Sequence, residues 1–523
     1  MDEMQTYQSA LLMEDQDVSE AIKLMHSWCV CPRCILRFLC IKAQELYKQS
    51  TKELEIWLYR HMKSDADVSG FGNREKKGAD FVCIACIGIL QDGCCSETFC
   101  HELFDTVQKE GFQFDSYYMS LSIPVPLILR EYSVFLKLRE LIPNVAKDSS
   151  KEEVAQIKEA WKWACGPFMS KLLGVPFDQK SLFQVKLTFD HPELERECHF
   201  LYDLYPDVFC RRKNNKHGWE VFTRVNVPNA LEDMGPTKFQ KNYCCPPRAL
   251  SMTCQCTSVI CTHEAIFIAG RYNKYSRDLS QTPWVVDGER RTESSIEEMI
   301  CAHLQKATQA KEYKLSASGR EDVDVLMLGR GRPFVIEMIN PRKIRFTAQE
   351  MKEIQDSINK SHKEIRVRDL QIVTKEDTGN LKKGEEEKVK RYSAMCWANK
   401  VLSQELLDSR LNHLENLIIQ QKTPIRVLHR RALAIRERAI HKISAKLKDD
   451  HHFVIFLSTQ AGTYIKEFVH GDFGRTVPNL GRILDAECDI LELSVEAVEL
   501  DWPHQLEEYN SEDEVNPYDL LLT

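Results

Sequence analysis

One stretch of the chain joins small residues to three carboxylates and several glycines. Residues 316–325 read Ser-Ala-Ser-Gly-Arg-Glu-Asp-Val-Asp-Val, and residues 329–334 read Gly-Arg-Gly-Arg-Pro-Phe. The glycines let the backbone turn tightly or approach a ligand, so a Gly-rich turn is expected after the carboxylates. Asp322 has the chemistry of a nucleophile or base, but most loop carboxylates are solvated or cap a turn. The residue types alone therefore favour a solvated Asp322, in the kind of loop that also carries functional groups.

Two Cys-x-x-Cys knuckles stand near the start of the chain. Cys31 and Cys34 form the first, and Cys83 and Cys86 form the second after an interval of 48 residues. Each knuckle can offer two thiolates, and two knuckles complete a tetrahedral four-sulfur zinc site. The alternative is a set of buried or redox-active cysteines. Four sulfurs leave no open position, so the predicted zinc is structural and does not catalyse.

Basic clusters mixed with aromatic residues indicate RNA. Residues 270–277 read Gly-Arg-Tyr-Asn-Lys-Tyr-Ser-Arg, which we expect to be a loop, and residues 423–431 form a second cluster. Cations meet phosphates and rings stack on unpaired bases, although an ordinary hairpin surface is the alternative. A basic loop tip at 211–216 fits a solvated turn and a phosphate contact equally well. The candidate RNA contacts are Arg271, Lys274, Arg277, Arg320, Arg426, Arg430 and Arg431.

The elements that must position these groups follow from residue spacing. Alternation of apolar residues predicts strands, and capping boxes predict helix starts, so the fold class expected is α+β. The predicted strands are 117–125, 183–189, 221–227, 265–269, 334–339, 370–373 and 453–457, with two closing strands near Ile490 and Val498. The predicted capping boxes pair Ser149 with Glu152, Ser294 with Glu297, and Thr347 with Glu350.

Composition and charge set the outline of the molecule. The 523 residues allow more than one core, and the 20 cysteines point to free thiols in a reducing compartment. Residues 485–523 hold thirteen acidic residues and no Lys or Arg, so the net charge of −8 conceals a mildly basic remainder. We find no secretory signal and no apolar run long enough for a membrane span. A second zinc site among Cys254, Cys256, Cys261 and His263 is not expected. A Cys-x-Cys pattern in a strand fits the packing of cysteines as well as it fits metal binding.

The expected domains are four. Residues 1–20 form a disordered N-terminus, residues 21–250 an accessory domain, residues 251–506 a catalytic domain and residues 507–523 an acidic tail. Cys-Cys-Pro-Pro at residues 244–247 is predicted to be the linker between the two folded domains.

Three short segments resemble the pseudouridine synthases. They are the Arg-Glu-Asp triplet ending at Asp322, the Lys-Arg-Tyr triplet ending at Tyr392, and Gly-Thr-Tyr-Ile-Lys at 462–466. Residues 270–277, 281–284, 319–325, 423–431 and 462–475 closely resemble the tenth family of archaeal and eukaryotic tRNA pseudouridine synthases. That resemblance implies a mixed or antiparallel catalytic sheet, and an accessory domain with the zinc knuckles and a THUMP region.

The resemblance also implies residue roles. Asp322 would be the nucleophile, Tyr392 would stack on the flipped uracil and accept or relay the C5 proton, and Tyr464 would line the pocket. Lys466 stands where an Arg is commoner, and it would keep Asp322 ionised and fix its rotamer. No catalytic cofactor is needed, because pseudouridine is an isomer of uridine.

The resemblance finally implies a substrate. The implied substrate is tRNA, modified at T-loop uridines fifty-four and/or fifty-five. The protein is expected to be a monomer found in the nucleus and the cytoplasm. The alternative is an RNA-binding factor that acts in microRNA-precursor processing without turnover.

Overall fold

Two compact units make up the chain. The structure, a computed structural model, describes residues 15–60, 81–143, 154–209, 221–381, 388–429 and 431–506. Its contacts divide the chain into Met1–Thr262 and His263–Thr523, and the predicted linker at 244–247 lies inside the first unit. Five predictions fall on residues outside the described ones: the basic loop 211–216, Arg430, the 149/152 capping box, most of the disordered N-terminus and the acidic tail.

The first unit is mainly helical around a small sheet. Its strands are β1 Tyr118–Ser122, β2 Phe183–Asp190 and β3 Gln255–His263, in the order β1-β2-β3, with β1 and β2 parallel. Its helices are Asp15–Ser27, Pro32–Phe38, Gln44–Tyr47, Thr51–Arg60, Glu97–Lys109, Leu127–Leu141, Ile157–Leu173, Phe200–Leu204, Pro206–Phe209 and Asn226–Asn242, with a 3₁₀ turn at Leu194–Cys198. As expected from its alternation, β2 buries every second residue from Phe183. Among the described residues, no helix is long and apolar enough to cross a membrane.

The strand predicted at 221–227 is wrong. The backbone there bends and enters the Asn226–Asn242 helix. Thr223 Oγ1 accepts hydrogen bonds from the backbone N–H groups of Val225 and Asn226, at 3.4 and 3.0 Å. This local side-chain cap satisfies backbone donors that a strand would pair across a sheet. The three valines of this segment are therefore a weaker signal than its one threonine.

The second unit is built on one ten-stranded sheet. The strands of this unit are β4 Ile266–Lys274, β5 Val285–Val286, β6 Glu289–Arg290, β7 Glu312–Ala317, β8 Val325–Ile339, β9 Ile365–Val373, β10 Lys390–Ala398, β11 Glu415–Lys422, β12 Ile435–Leu447, β13 His452–Thr459, β14 Thr476–Val477 and β15 Cys488–Val498. The strand order in the sheet is β14-β11-β12-β13-β10-β15-β8-β4-β9, with β7 paired to β8. Of the described strand pairs in this sheet, only β8 with β15 is parallel. The strands β5 and β6 form a separate hairpin. The two closing strands predicted near Ile490 and Val498 are a single strand, β15.

Five helices whose ends both lie within the described residues accompany that sheet. They are Ile296–Thr308, Ala348–Ser361, Gln404–Arg410, Ile465–His470 and Leu480–Leu484, with 3₁₀ turns at Ile425–Val427 and Gly471–Gly474. The predicted capping box of Thr347 and Glu350 is present, with both reciprocal bonds made. The preceding helix is capped by Ser295, one residue later than predicted.

The glycine-rich turn predicted at 329–331 is instead the interior of strand β8. Gly331 has φ +78°, and a Cβ there would lie 2.6 Å from the carbonyl oxygen of Tyr272 on β4. Gly329 has φ +56°, and its Cβ would lie 2.2 Å from the carbonyl oxygen of Glu496 on β15. The glycines therefore serve the close approach of neighbouring backbones, where a side chain does not fit.

The loop predicted at 270–277 is also largely a strand, since β4 continues to Lys274. Arg271 is 1% exposed and donates hydrogen bonds only to backbone carbonyls, of Arg330, Gly331, Val498, Leu500 and Trp502. Burial lowers the pKa of Arg271 to about 10. The RNA contact predicted for Arg271 is replaced by a structural role, because the guanidinium joins β4 to the segment after β15 and does not reach solvent.

The close approach at Gly331 predicts a stability difference. Gly331→Ala should destabilise the protein more than Gly474→Ala, because both positions have similar positive φ but no other described group lies within 4 Å of a Cβ at Gly474. The left-handed conformation costs an alanine about 1 kcal/mol at either site, and the clash with Tyr272 adds to it at Gly331. Urea denaturation of the two variants measures the difference. Equal losses would contradict the close approach.

Candidate active site

Three connections meet at one end of the large sheet. The loop 318–324 joins β7 to β8 and carries Asp322, while Tyr392 lies near the start of β10. Tyr392 pairs with Val495 of β15, which in turn pairs with Met327 of β8. Lys390 pairs with Thr459 at the end of β13, and the chain then runs into residues 460–466. The strand register thus brings together the three segments that the sequence singled out.

A buried carboxylate anchors the Asp322 loop. The side chain of Glu321 is 0% exposed and accepts a hydrogen bond from Arg332 Nε at 2.7 Å. The Tyr272 hydroxyl donates to the same carboxylate at 2.8 Å, and Arg332 also donates to the Ser318 carbonyl at 2.7 Å. Burial and the Glu321 charge raise the pKa of Tyr272 well above its ordinary value, so the phenol remains a donor. The residue before Asp322 is therefore held from inside the core.

Lys274 holds the same loop through hydrogen bonds to the backbone of the loop. Its side chain is 0% exposed, and Nζ donates to the carbonyls of Leu279, Asp322 and Val323 at 2.8, 3.1 and 2.6 Å. Burial lowers the pKa of Lys274 to about 8. The predicted RNA contact of Lys274 is corrected to this supporting role, since the ammonium group lies beneath the loop and not on the surface.

A pocket of about 620 Å³ opens above this loop. All four predicted catalytic residues line it: Asp322, Tyr392, Tyr464 and Lys466. Its lining has eight cations against two carboxylates, and the cations are Arg320, Arg332, Lys390, Arg426, Arg431, Arg436, Arg438 and Lys466. The volume is within the range of small-molecule sites, and the charge suits a phosphorylated ligand such as a nucleotide. The other described candidate contact, Arg277, is half-buried and donates to Glu492 at 2.8 Å.

Asp322 has two cationic neighbours, and the nearer one is not the predicted one. Arg426 NH1 donates to Asp322 Oδ2 at 2.7 Å, whereas Lys466 Nζ is 3.5 Å from the same oxygen. Lys466 donates instead to both oxygens of Asp324, at 2.8 and 2.7 Å. Burial alone would raise the pKa of Asp324, but this hydrogen bond lowers it below its ordinary value. The predicted ion pair of Lys466 with Asp322 is thus present, but Lys466 lies closer to Asp324, and Arg426 is the nearer partner of Asp322.

Sequence reasoning placed Arg426 among the RNA contacts and missed its bond to Asp322. The two residues are 104 positions apart, and no spacing rule joins them. The guanidinium carbon of Arg426 also lies 5.9 Å from the centre of the Tyr464 ring, within cation–π range. Arg426 therefore links Asp322 to a second predicted site residue.

Tyr392 is positioned for contact and not for basic catalysis by a phenolate. Burial raises the pKa of Tyr392 to about 12. The phenol therefore stays protonated at neutral pH, where it can stack and take part in a proton relay. Tyr464 is fixed by Gln421, whose side-chain amide exchanges two hydrogen bonds of 2.9 Å with the Tyr464 backbone.

The four knuckle cysteines converge in the first unit. The sulfurs of Cys31, Cys34, Cys83 and Cys86 lie within 4.8 Å of one another, and all four residues are buried. Cys31 and Cys86 Sγ are 3.8 Å apart, which matches the edge of a tetrahedron with zinc–sulfur bonds of about 2.3 Å. In the described part of the chain this is the one group of His, Cys, Asp or Glu residues that satisfies the spacing for a metal.

Comparison with known proteins identifies the class. The family model described as "Pus10, C-terminal" matches residues 267–499, and the model "Eukaryotic Pus10, N-terminal" matches residues 83–261. The human tRNA pseudouridine synthase Pus10 is 44% identical over 514 residues, covering 91% of this chain and 96% of the human protein. The Xenopus laevis protein of that name is 44% identical over 521 residues, covering 95% and 100%. The namesake from Pyrococcus furiosus is 38% identical over 230 residues, covering 44% and 56%.

A solved Cbf5-Nop10-Gar1 complex also aligns, with 15% identity over 43% of this chain and 47% of that chain. Its TM-score of 0.25 is too low to show a shared fold. The matches over nearly the full length define the chain as a pseudouridine synthase, an isomerase. Within that class, the chain belongs to the Pus10 family.

The buried anchor of the Asp322 loop predicts a large cost for its loss. Glu321→Gln should lower the free energy of unfolding by about 3 kcal/mol, because it leaves the buried Arg332 without its counter-charge. Glu492→Gln is the matched control, since its pair with Arg277 is 43% exposed on the Glu492 side and contributes at most about 1 kcal/mol. Urea titrations of both variants provide the measurement, and similar losses would contradict the anchoring role of Glu321.

Proposed function

We propose that this chain isomerises uridine to pseudouridine in tRNA, at T-loop uridines fifty-four and/or fifty-five, with Asp322 as the nucleophile. The observation that carries the proposal is the presence of Asp322 and Tyr392 in one cation-lined pocket. The names of the relatives supply the tRNA substrate. The cationic lining suits the phosphates on either side of a uridine.

The reaction needs a covalent helper but no cofactor. The N1–C1′ bond of uridine breaks, the uracil turns, and a C5–C1′ bond forms, while C5 loses its proton and N1 gains one. An ionised carboxylate is suited to hold one of the separated parts covalently in the interval. Both cationic neighbours of Asp322 approach Oδ2, so Oδ1 is the oxygen that we assign to the substrate.

Tyr392, which lines the same pocket, supports the same proposal. The target base must leave its stack before Asp322 can reach it, which costs a few kcal/mol. Stacking against an aromatic ring offsets part of this cost. The phenol of Tyr392 is protonated, so it can relay the C5 proton but cannot accept it directly as a phenolate would.

In this proposal, RNA is held by cations that are exposed at the pocket or lie near it. Arg320 and Arg431 are exposed at the pocket, and Arg277 is half-buried near it. The first unit, with its predicted THUMP region, is proposed to dock the body of the tRNA. The alternative role in microRNA-precursor processing gains no separate support from the described residues. A monomeric state and a location in both nucleus and cytoplasm stay predictions.

The nucleophile assignment predicts a separation of chemistry from binding. Asp322→Asn should abolish tritium release from tRNA labelled at uridine C5, because an amide cannot replace the carboxylate. Binding of tRNA should persist, since affinity rests on many phosphate contacts. Asp278→Asn makes the same chemical change at an exposed carboxylate outside the pocket lining and should remain active. Turnover by Asp322→Asn at the wild-type rate would refute the assignment.

We propose that the four-cysteine group holds one structural zinc. The chemistry of the donors carries this assignment, because four buried thiols at tetrahedral spacing form a closed site. Zinc would fix the first knuckle to the second across the long interval between them. Removal of the metal should loosen the first unit.

The zinc proposal is tested by metal analysis. Wild-type protein should contain one zinc per chain, and the Cys31→Ser/Cys83→Ser double variant should contain none, because two sulfurs do not hold the ion tightly. Cys29→Ser/Cys40→Ser removes two other cysteines near the first knuckle and should keep the zinc. Unchanged zinc content in the first double variant would show that these are not the ligands.

A further inference from the structure

A buried carboxylate stands behind Arg426. Glu467 lies in the first turn of the Ile465–His470 helix, and its side chain is 2% exposed. Its Oε1 accepts a hydrogen bond from Arg426 Nε at 2.7 Å, and Oε2 accepts one from NH2 at 3.5 Å. The remaining nitrogen, NH1, donates to Asp322 Oδ2 at 2.7 Å. One guanidinium therefore bridges two carboxylates with different edges.

We propose that Glu467 is a positioning residue, which holds the Arg426 fork so that NH1 fixes the Asp322 carboxylate for reaction. The inference rests on the proposed role of Asp322 as nucleophile. It gives Arg426 a task at the reacting group itself, in addition to any contact with RNA. It also explains why a charged group is buried at this helix.

The burial of Glu467 argues for positioning over stability. A buried ion pair gains little net stability, because the desolvation of both charges offsets their attraction. A full charge at 2% exposure beside a reactive carboxylate is better explained by the geometry that it enforces. Burial alone would lower the pKa of Arg426, but the hydrogen bond and charge of Glu467 raise it above its ordinary value.

Arg426 needs such a clamp because, apart from Asp322 and the Tyr464 ring, the contacts described around it fix its backbone. It lies in the 3₁₀ turn Ile425–Val427, where Asp472 accepts from the Ile425 N–H at 3.3 Å and Arg475 donates to the Thr423 carbonyl at 2.6 Å. The Arg426 side chain is 37% exposed. A long side chain with that freedom loses considerable rotamer entropy when it is held, so a second carboxylate is needed to hold it.

Lys466 does not duplicate this task. Its ammonium group lies 2.7 Å from Asp324 and 3.5 Å from Asp322, so its charge is shared and its geometry is not a fork. The helix turn that carries Lys466 and Glu467 in succession thus supplies two different supports. Lys466 acts on the two loop aspartates directly, and Glu467 acts on Asp322 through Arg426.

The inference is tested with full-length Glu467→Gln on labelled tRNA. The kcat for tritium release should fall about 10- to 100-fold, because a small displacement of a reacting group has effects of that size. The KM for tRNA should remain within about twofold of the wild-type value, since Glu467 is buried and its contacts lie on Arg426. Glu298→Gln, which alters a carboxylate paired with Arg290 outside the pocket lining, should keep the wild-type kcat.

A double-mutant cycle separates positioning from general destabilisation. If Glu467 acts through Arg426, the Arg426→Met/Glu467→Gln protein should be no slower than Arg426→Met alone. Multiplied losses in the double variant, or an unchanged kcat in Glu467→Gln, would overturn the inference. Thermal unfolding midpoints show which variants are folded at the assay temperature.

Arg426→Lys keeps the inference testable if Glu467→Gln does not fold. A lysine keeps the charge but cannot hold two carboxylates in a fork, so its kcat should also fall with an unchanged KM. Full activity of Arg426→Lys would show that the bridge is not needed. A wild-type protein without tritium release would instead refute the proposed function, and an active Asp322→Asn would refute the nucleophile on which the bridge depends.

Discussion

The site depends on one buried charge, the carboxylate of Glu321. This carboxylate lies within the core between Arg332 and the Tyr272 hydroxyl, and Glu321 directly precedes Asp322 in the chain. An unpaired charge at that depth would cost several kcal/mol, so the loop cannot move without breaking the pair. Lys274 adds hydrogen bonds to two backbone carbonyls of the loop, those of Asp322 and Val323. The core thereby fixes the path of a loop whose Asp322 side chain remains accessible from the pocket.

Charges around Asp322 are arranged in pairs and not as isolated cations. Arg426 lies between Asp322 and Glu467, and Lys466 lies between Asp322 and Asp324. Each cation is thus held by a second carboxylate while it contacts the first. This arrangement pre-organises the reactive group, which is how an enzyme avoids reorganising its own dipoles during the reaction. Among the other cations of the pocket, the exposed Arg320 and Arg431 are the ones that we propose for the phosphates of RNA.

The sequence was a good guide where chemistry is local. Cys-x-x-Cys spacing predicted the four cysteines that converge, and the alternation at 183–189 predicted β2. The three short segments at Asp322, Tyr392 and Lys466 do line one pocket. It failed where burial decides the outcome, because Arg271 and Lys274 have the composition of an RNA contact but donate to buried carbonyls. The bond between Arg426 and Asp322 joins distant parts of the chain, and the glycines of β8 face neighbouring strands, so neither has a local signal.

We propose that the pocket receives a flipped uridine at Asp322. The decisive measurement is a structure of the inactive Asp322→Asn protein bound to a tRNA T-arm. We expect an extruded uridine against Tyr392, with the side chain of residue 322 about 3–3.5 Å from C1′ or from the base. A target uridine that stays stacked in the arm, or that lies outside this pocket, would contradict it.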